Sequence, residues 1–362
     1  MSCFVKSNES LDELHVIEPL GSGGIYQHAV AFSNYLSENG FSIVLHTTHD
    51  YEETESVKFR VCGCFRNFHQ ESWILRNTMR FSSFCLRTAP HLWVSSYGRY
   101  INLQGNAHPL LTLLIGMILR IRSHGIVYTP HNLFERNRQW SGKLVRKCII
   151  KCSRLVIVFN KVDQRLLSKE SVPTVRLPLL MPHVEPNDNL IEKLKRNLQD
   201  EHLKVFLFAG QMREDKGILD LLEIANLLRN YGILLVVGKA IDQMGYETIK
   251  RLEKEPNCRV YEGFYALSDF LAFFEIADCL LLPYHIVSQS GTVAYARRVN
   301  LPTIGYAHEN WEDDLSSVTF HSPKALVDEA KRVLTHETQY NSKEQVDFMK
   351  FKETLMHSLE KK

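Results

Sequence analysis

The order of secondary-structure patterns constrains the fold of this chain more than any other feature. Short runs rich in β-branched and aromatic residues alternate with helical patterns along nearly all of the 362 residues. Parallel strands need crossover helices between them, so this alternation predicts parallel sheets built from βαβ units. The predicted strands are Leu14–Ile17, Ser42–Thr47, Gly125–Thr129, Leu155–Phe159, Thr174–Leu177, Lys204–Ala209, Leu234–Gly238, Arg259–Glu262, Cys279–Leu282, Thr303–Tyr306 and Val318–Phe320.

A chain of this length is expected to hold two domains of ordinary size. The best boundary is the segment 177–189, because Pro178, Pro182 and Pro186 exclude both helix and interior strand there. We therefore predict doubly wound domains at 1–182 and 183–342, with a hinge between them. The remaining segment, 343–362, has the pattern of an amphipathic helix. This helix is expected to pack on one of the two domains, either the N-terminal domain or the C-terminal one.

Composition excludes several classes of protein. With 44% hydrophobic and 23% charged residues the chain is a globular protein, and a net charge of +2 argues against a nucleic-acid binder. The eight cysteines lack metal-ligand spacing and are expected to be free thiols. The first residues do not have the pattern of a signal peptide, and the apolar run 109–119 is too short to span a bilayer. A cytoplasmic location is the expectation.

Three loops between a strand and a helix have the chemistry of anion sites. The first is Gly21-Ser22-Gly23-Gly24, where the backbone can approach a diphosphate at a helix N-terminus. A tight turn without a ligand remains the alternative. The spacing is not that of the dinucleotide fingerprint, and no acidic residue ends the second strand, which disfavours a nicotinamide-dependent oxidoreductase.

The other two loops lie in the second half of the chain. One runs from Phe206 to Gly217 and places Lys216, with Arg213, where a phosphate would gather at a helix start. The other follows the strand Cys279–Leu282 and reaches Ser290, Gly291 and Thr292 at the next helix start. A surface lysine and an ordinary capped helix are the alternative interpretations.

These motifs resemble nucleotide-sugar glycosyltransferases of the GT-B fold. GSGGIYQHAVAFSNYLSENGFSIVLHTT resembles the opening of such enzymes, and FLFAGQMREDKGILDLLEIANLL resembles the start of their donor domain. YEGFYALSDFLAFFEIADCLLLPYHIVSQSGTVAYARRVNLPTIGY resembles the donor site of the retaining family that includes glycogen-synthase-like and mannosyl transferases, family 4 in type. The similarity runs in order from Leu14 to about Leu334 and implies two Rossmann-like domains that face each other across a cleft.

The resemblance also assigns roles to residues. It implies that Gly23 and Gly24 lie near the donor diphosphate, that Lys216 is its cationic partner, and that Phe264 lies at the nucleobase. His131 matches a histidine that faces the reacting sugar, with a loop-capping histidine as the alternative. The implied catalytic residues are His131 and Lys216, and the implied donor-binding residues are Gly23, Gly24, Gln211, Arg213, Lys216, Phe264, Gln289, Ser290, Gly291, Thr292 and Tyr295.

The sequence departs from the family pattern at three positions. Tyr295 stands where the family has the glutamate that holds the ribose, and no acid stands near Val287 to Gln289 for the other glutamate. Gln211 replaces a usual arginine. These departures motivate a second hypothesis, in which the chain is a weak or inactive homologue that binds a nucleotide, a glycan or a partner protein.

The expected reaction is metal-independent transfer from a nucleoside-diphosphate sugar to a lipid-linked or polysaccharide acceptor. The resemblance implies that the transfer retains the anomeric configuration. Helix N-termini and Lys216 would replace the metal ion, so no cofactor is expected. Between Arg120 and Lys169 there are twelve Lys or Arg residues against two acidic ones. Such an excess favours docking on the anionic inner face of a membrane, with a solvated basic surface or an anionic-sugar site as alternatives.

Overall fold

The computed structural model describes residues 13–18, 20–52, 57–65, 100–104, 125–131, 147–170, 172–198, 203–287, 290–309, 315–335, 351–355 and 357. The chain divides into two compact units, one formed by 1–182 with 346–362 and the other by 183–345. Each unit is a doubly wound α/β structure around a parallel sheet. The α/β class with parallel sheets that the sequence predicts is thereby confirmed.

Unit 1 contains a seven-stranded parallel sheet in the order β3-β2-β1-β4-β5-β6-β7. Its helices α1 and α2 follow β1 and β6 along the chain, and residues 147–152 are helical as well. The strands are β1 Glu13–Ile17, β2 Ser42–Thr48, β3 Arg60–Phe65, β4 Tyr100–Gln104, β5 Ile126–Thr129, β6 Leu155–Val158 and β7 Thr174–Arg176, and the helices are α1 Gly23–Glu38 and α2 Lys161–Leu167.

The core of unit 1 forms where α1 packs on the sheet. Tyr26, Ala29, Phe32 and Leu36 are buried at helical spacing, so one face of α1 covers the apolar side chains of β1 and β2. Residues 351–355 are helical and add Phe351 and Leu355 to this core. The ring of Phe351 lies 6.2 Å from those of Phe32 and Tyr35, which places this segment on α1.

Unit 2 contains a six-stranded parallel sheet in the order β10-β9-β8-β11-β12-β13. Its central strands are buried along nearly their whole length, as expected for a parallel sheet covered on both faces. The strands are β8 Lys204–Ala209, β9 Gly232–Gly238, β10 Cys258–Glu262, β11 Cys279–Leu282, β12 Thr303–Tyr306 and β13 Ser317–Thr319, and the helices are α3 Asp188–Asn197, α4 Asp220–Leu228, α5 Gln243–Leu252, α6 Leu267–Glu275, α7 Gly291–Arg298 and α8 Pro323–Thr335.

Asn300 has an unusual backbone conformation just after α7, the helix that begins at the predicted Ser290 motif. Asn300 has φ 53°, a left-handed conformation that glycine adopts most easily and asparagine tolerates. It follows α7 directly, where such a residue ends a helix and turns the chain toward β12. Among the described residues, the thiols of Cys62, Cys148, Cys152, Cys258 and Cys279 form no disulfide bond.

Candidate donor site in unit 2 and histidine site in unit 1

The strand order of unit 2 reverses at one point of the sheet, and this point identifies a candidate ligand site. From β8 the chain continues to β9 and β10 on one side, whereas β11, β12 and β13 lie on the other side. The reversal falls between the adjacent strands β8 and β11, whose carboxyl ends diverge into separate loops. Doubly wound sheets bind their ligands in the crevice at this switch point. The loops after β8 and β11 are the two motifs that the sequence analysis selected.

Lys216 and Tyr284 connect these two loops. The Nζ atom of Lys216 lies 3.6 Å from the centroid of the Tyr284 ring, a close cation–π contact. Tyr284 is buried, and its hydroxyl donates to the carbonyl of Ala209 at 3.4 Å. Burial raises the pKa of Tyr284, while hydrogen bonds from Thr292 and Ser290 act in the opposite direction. One buried phenol thus contacts the lysine of the first loop and the hydroxyl residues of the second.

Tyr284 is not among the site residues predicted from the sequence. The available signal was its position, since an aromatic residue that follows Pro283 directly after a buried strand lies at the carboxyl edge of the sheet. A lysine held on an aromatic ring keeps its charge and its N–H donors. The contact with the Tyr284 ring therefore helps to orient the Lys216 ammonium.

Gly217, which directly follows Lys216, occupies a position that a larger residue would not fit. Its φ is +67°, and a Cβ atom there would lie 1.8 Å from the carbonyl oxygen of Pro283. The backbone N–H groups of His285 and Ile286 donate to the carbonyl of Asp215 at 3.1 and 3.2 Å. The short 3₁₀ turn that carries Lys216 is therefore packed directly against the chain that leaves β11.

Ser290, Gly291 and Thr292 lie at the start of α7, as predicted. Ser290 is the N-cap residue with extended backbone angles, and its side chain contacts the hydroxyl of Thr292 instead of capping a helix amide. Among the described residues, no N-cap side chain takes up the first amides of α7, so these amides and the positive end of the helix dipole are suited to an anion. Gln289, the neighbouring predicted residue, lies outside the described part of the chain.

Gln211 and Arg213 are close together, but Arg213 is already paired. Its Nε atom lies 2.6 Å from Oδ1 of Asp215, and its Nη1 donates to Oε1 of Gln211 at 3.0 Å. Both members of the ion pair are largely buried. The charge of Arg213 is therefore balanced by Asp215 in this structure, and its role toward a donor stays a prediction.

Tyr295 and Phe264 lie in contrasting surroundings. Tyr295 is 3% exposed, and its ring packs edge-on against Phe270 and Phe274 of α6. This packing contributes to the core, and a contact with ribose stays a prediction. Phe264 is 75% exposed and follows Gly263 at the end of β10, with Nζ of Lys239 lying 4.9 Å from its ring centroid. An exposed ring at the carboxyl edge is suited to stacking on a base.

The glycine loop of unit 1 occupies the corresponding switch point between β1 and β4. Gly21 has φ +70°, and a Cβ atom there would lie 2.0 Å from Oγ1 of Thr48, so this glycine is needed for packing. By contrast, nothing lies within 4 Å of a Cβ atom at Gly23 or Gly24, and both residues are exposed. Packing therefore explains Gly21, and a left-handed φ of +75° explains Gly23. The open space at both Gly23 and Gly24 is suited to a ligand.

Glu18 contacts the backbone of this loop and is not among the residues predicted from the sequence. Its carboxylate is completely buried and accepts hydrogen bonds from the N–H groups of Leu20 at 3.0 Å and Gly21 at 2.9 Å. Burial raises the pKa of Glu18 to about 7, against the lowering effect of those hydrogen bonds. Glu18 thus holds the shape of the glycine loop. Its sequence signal is an acidic residue directly after an apolar strand.

His131 lies at the end of β5 in a second cluster of unit 1. Its ring is 5.3 Å from that of His28 and 5.2 Å from that of Phe159. Nδ1 of His28 lies 3.0 Å from the carbonyl oxygen and 3.2 Å from the backbone nitrogen of Leu180. Burial lowers the pKa of His28 to about 4. The pKa of His131 is lowered well below its ordinary value, first by burial and second by the nearby imidazole of His28. Both imidazoles are therefore neutral at pH 7.

Comparison with solved structures gives matches over nearly the whole chain. The catalytic domain of starch synthase IV from Arabidopsis thaliana, bound to ADP and acarbose, is 12% identical with a TM-score of 0.71, over 98% of this chain and 100% of that one. Sucrose-phosphate synthase from Thermosynechococcus elongatus is 16% identical with a TM-score of 0.68, over 90% of each chain. HepE from Anabaena, in complex with UDP and glucose, is 12% identical with a TM-score of 0.67, over 91% of this chain and 92% of that one.

These similarities establish the two-unit, Rossmann-like GT-B fold. No protein-family model matches the chain, and no curated protein sequence matches it. In the portions of the chain described above, no group of three His, Cys, Asp or Glu side chains is arranged to hold a metal ion. None of the helices described is both long and apolar enough to cross a membrane.

Proposed function

We propose that the protein is a glycosyltransferase that moves a sugar from a nucleoside-diphosphate sugar to an acceptor hydroxyl. The observation that carries this proposal is the contact of Lys216 with Tyr284, which also hydrogen-bonds to Ser290 and Thr292 at the start of α7. A cation and a helix N-terminus thus converge at the switch point of a GT-B unit. The matched structures that contain UDP or ADP support a nucleotide in such a fold.

The chemistry requires stabilisation of a leaving diphosphate. The bond from the anomeric carbon to the β-phosphate oxygen breaks, the acceptor oxygen bonds to that carbon, and the acceptor proton leaves with the nucleoside diphosphate. The Lys216 ammonium and the first amides of α7 supply positive charge where negative charge develops. In this proposal the transfer needs no metal ion. Retention of the anomeric configuration is proposed from the resemblance of the donor motif.

His131 is the proposed partner of the reacting sugar in unit 1. Because its pKa is lowered by burial, the imidazole is neutral and can donate one hydrogen bond and accept another. A neutral ring suits a sugar hydroxyl, which is itself both a donor and an acceptor. Gly23 and Gly24 are proposed to approach the donor diphosphate, since their Cα atoms face open space.

The test is a screen of nucleotide sugars for binding and for release of free nucleoside diphosphate. We expect saturable turnover with one donor class, and Lys216→Ala and His131→Ala should each abolish it. Lys331→Ala is the matched control, because that ammonium also lies over a tyrosine ring, 5.0 Å from the centroid of Tyr231, but on α8. For His131 the control is His183→Ala, which changes an exposed imidazole. Turnover that survives both site variants would contradict the proposal.

A second candidate is a weak or inactive homologue that binds a nucleotide, a glycan or a partner protein. Two observations favour it: Tyr295 is packed into the core where the related motif has a glutamate, and Arg213 is balanced by Asp215. The same screen distinguishes the two candidates. Binding of a nucleotide sugar without release of diphosphate, whatever acceptor is supplied, would support the homologue over the enzyme.

The acceptor is proposed to be lipid-linked or a polysaccharide, with the basic segment 120–169 docked on an anionic membrane surface. Six of its twelve cations lie in the described residues: Lys147, Lys151, Arg154, Lys161, Arg165 and Lys169. Each cation near such a surface contributes about 1 kcal/mol, and salt screens the attraction.

Vesicle sedimentation tests this docking. Vesicles with anionic lipid should recruit the protein at low salt at least tenfold better than neutral vesicles, and added salt should release it. Replacing Lys147, Lys151 and Lys161 with glutamine should weaken recruitment while nucleotide binding is unchanged. Equal recruitment by neutral and anionic vesicles would exclude the docking proposal.

A further inference from the structure

The register of unit 2 places Lys239 beside Gln211. Ala209 pairs with Val237 in the parallel ladder, and Met212 pairs with Ala240 in an isolated bridge. Counting between these pairs puts Gly210 opposite Gly238 and Gln211 opposite Lys239. Neighbours in a parallel ladder project to the same side, so Lys239 lies next to the position where the related donor motif has an arginine.

The backbone confirms that the two strand ends are matched. Gly210 and Gly238 both have positive φ values, +127° and +138°, so both chains turn at the same register position. The N–H of Gly210 donates to the carbonyl of Val237, and the N–H of Met212 donates to that of Lys239, each at 2.9 Å. The backbone of Lys239 is therefore fixed by β8, and its side chain leaves the sheet at the carboxyl edge.

The surroundings of Lys239 leave its charge available. Its Nζ lies 4.9 Å from the centroid of Phe264, and within the described ranges no carboxylate forms an ion pair with it. Arg213, one loop away, differs because Asp215 balances its charge. The desolvation cost is also smaller than for a fully buried lysine, since Lys239 is only partly buried.

The order of the strands also sets the position of Lys239 along a ligand. Phe264 follows β10, Lys239 follows β9, Gln211 follows β8 and Tyr284 follows β11, which is the order of these strands in the sheet. Neighbouring strands lie about 4.8 Å apart, so the exposed ring and the Lys216–Tyr284 pair are separated by about 14 Å. A nucleoside diphosphate has its base at one end, its β-phosphate at the other and its α-phosphate between them.

We infer that Lys239 binds the α-phosphate of the nucleoside diphosphate and supplies the cation that Gln211 does not. This inference rests on the proposed function, because it places the base at Phe264 and the β-phosphate at Lys216. The ammonium acts as a point charge with three N–H donors, and it leaves the ring of Phe264 to reach the phosphate oxygens.

The test compares ligands that differ by one phosphate at a time. Binding of uridine, UMP and UDP, and of the adenosine and guanosine series, is measured by calorimetry on the full chain and on Lys239→Met. Methionine keeps the apolar stem and removes the charge. We expect affinity for the monophosphate and the diphosphate to fall by a common factor of about ten, with affinity for the nucleoside unchanged. Lys331→Met is the control and should change none of the three.

Lys216→Met provides the contrasting result. It should weaken the diphosphate more than the monophosphate, because Lys216 lies at the β-phosphate end. If Lys239→Met weakens the nucleoside as much as the monophosphate, Lys239 contacts the base and the inference is overturned. It is also overturned if Lys239→Met changes no affinity while the wild-type chain binds the diphosphate. If no nucleotide binds the wild-type chain, the proposed function itself fails.

Discussion

Replacing Gly238 with alanine should cost unit 2 more than about 4 kcal/mol, enough to leave little folded protein. A Cβ atom at Gly238 would lie 1.8 Å from the carbonyl oxygen of Gly210 and 2.7 Å from its carbonyl carbon. Both are backbone atoms, so no side-chain rotation relieves the clash. The φ of +138° adds strain, because side chains other than hydrogen rarely occupy that region.

Gly210→Ala separates the two causes of this effect. Gly210 has φ +127°, but the nearest atom to its Cβ position is the Tyr284 hydroxyl at 3.8 Å, an ordinary contact. Gly210→Ala therefore introduces backbone strain alone and should cost about 1 to 3 kcal/mol. Gly24→Ala, at an exposed helical position with open space, should change stability by less than about 1 kcal/mol.

Urea denaturation of the full-length chain, combined with hydrogen exchange in peptides from β8 and β9, measures these costs. Hydrogen exchange locates the loss in unit 2, whereas peptides from unit 1 serve as an internal reference. Equal midpoints for Gly238→Ala and Gly210→Ala would show that β8 and β9 separate without cost. That result would contradict the close contact, and with it the matched register that places Lys239 beside Gln211.

The strands that the sequence predicted correctly share an unambiguous apolar pattern. Lys204–Ala209 and Cys279–Leu282 were predicted within their observed bounds, because continuous burial in a parallel sheet produces short runs of apolar residues. The strands β3 and β4 were not predicted. A glycine interrupts RVCGCF, and YINLQ contains two amides, so neither segment has the continuous apolar run that identified the other strands. Pairing with β2 and β1 gives them their structure.

Residues of the candidate site could be predicted only where a short contiguous sequence motif identifies them. Lys216 and Ser290 stand beside glycines between a strand and a helix, so their loops were found. Tyr284 and Lys239 matter because separate strands end side by side, and a strand order cannot be read from one sequence. Buried polar residues were missed for a related reason. Glu18 and His28 are held by backbone groups of Gly21 and Leu180, which only the folded chain brings close.

The buried carboxyl of Glu18 should make the stability of unit 1 fall as the pH rises. Its ordinary pKa of 4.5 is raised to about 7 in the folded chain, so the folded state holds a proton that the unfolded state has lost. The stabilisation is complete below pH 4.5 and is lost as the pH rises through 7. The difference between the two pKa values corresponds to about 3 kcal/mol.

His28 of the same unit makes stability fall as the pH falls, which is the opposite of the effect of Glu18. A variant is therefore needed to isolate the contribution of Glu18. The pKa of His28 is lowered from 6.5 to about 4, and its stabilisation is therefore present above pH 6.5 and lost as the pH falls through 4. In the wild-type chain the two trends overlap between pH 4.5 and 6.5. Glu18→Gln removes only the first trend and should make unit 1 more sensitive to acid than the wild type.

Hydrogen exchange of α1 amides, measured from pH 5 to pH 8 and corrected for intrinsic exchange rates, reports the stability of unit 1. The difference in unfolding free energy between wild type and Glu18→Gln should change by up to about 3 kcal/mol across this range, with the wild type favoured at the acid end. Glu38→Gln is the matched control, since Glu38 is an exposed carboxylate on α1. Its partner is Lys58. A constant difference between wild type and Glu18→Gln would mean that Glu18 is ionised in the folded chain throughout. In that case its two backbone hydrogen bonds outweigh its burial, and the glycine loop rests on a permanent negative charge that would oppose a diphosphate.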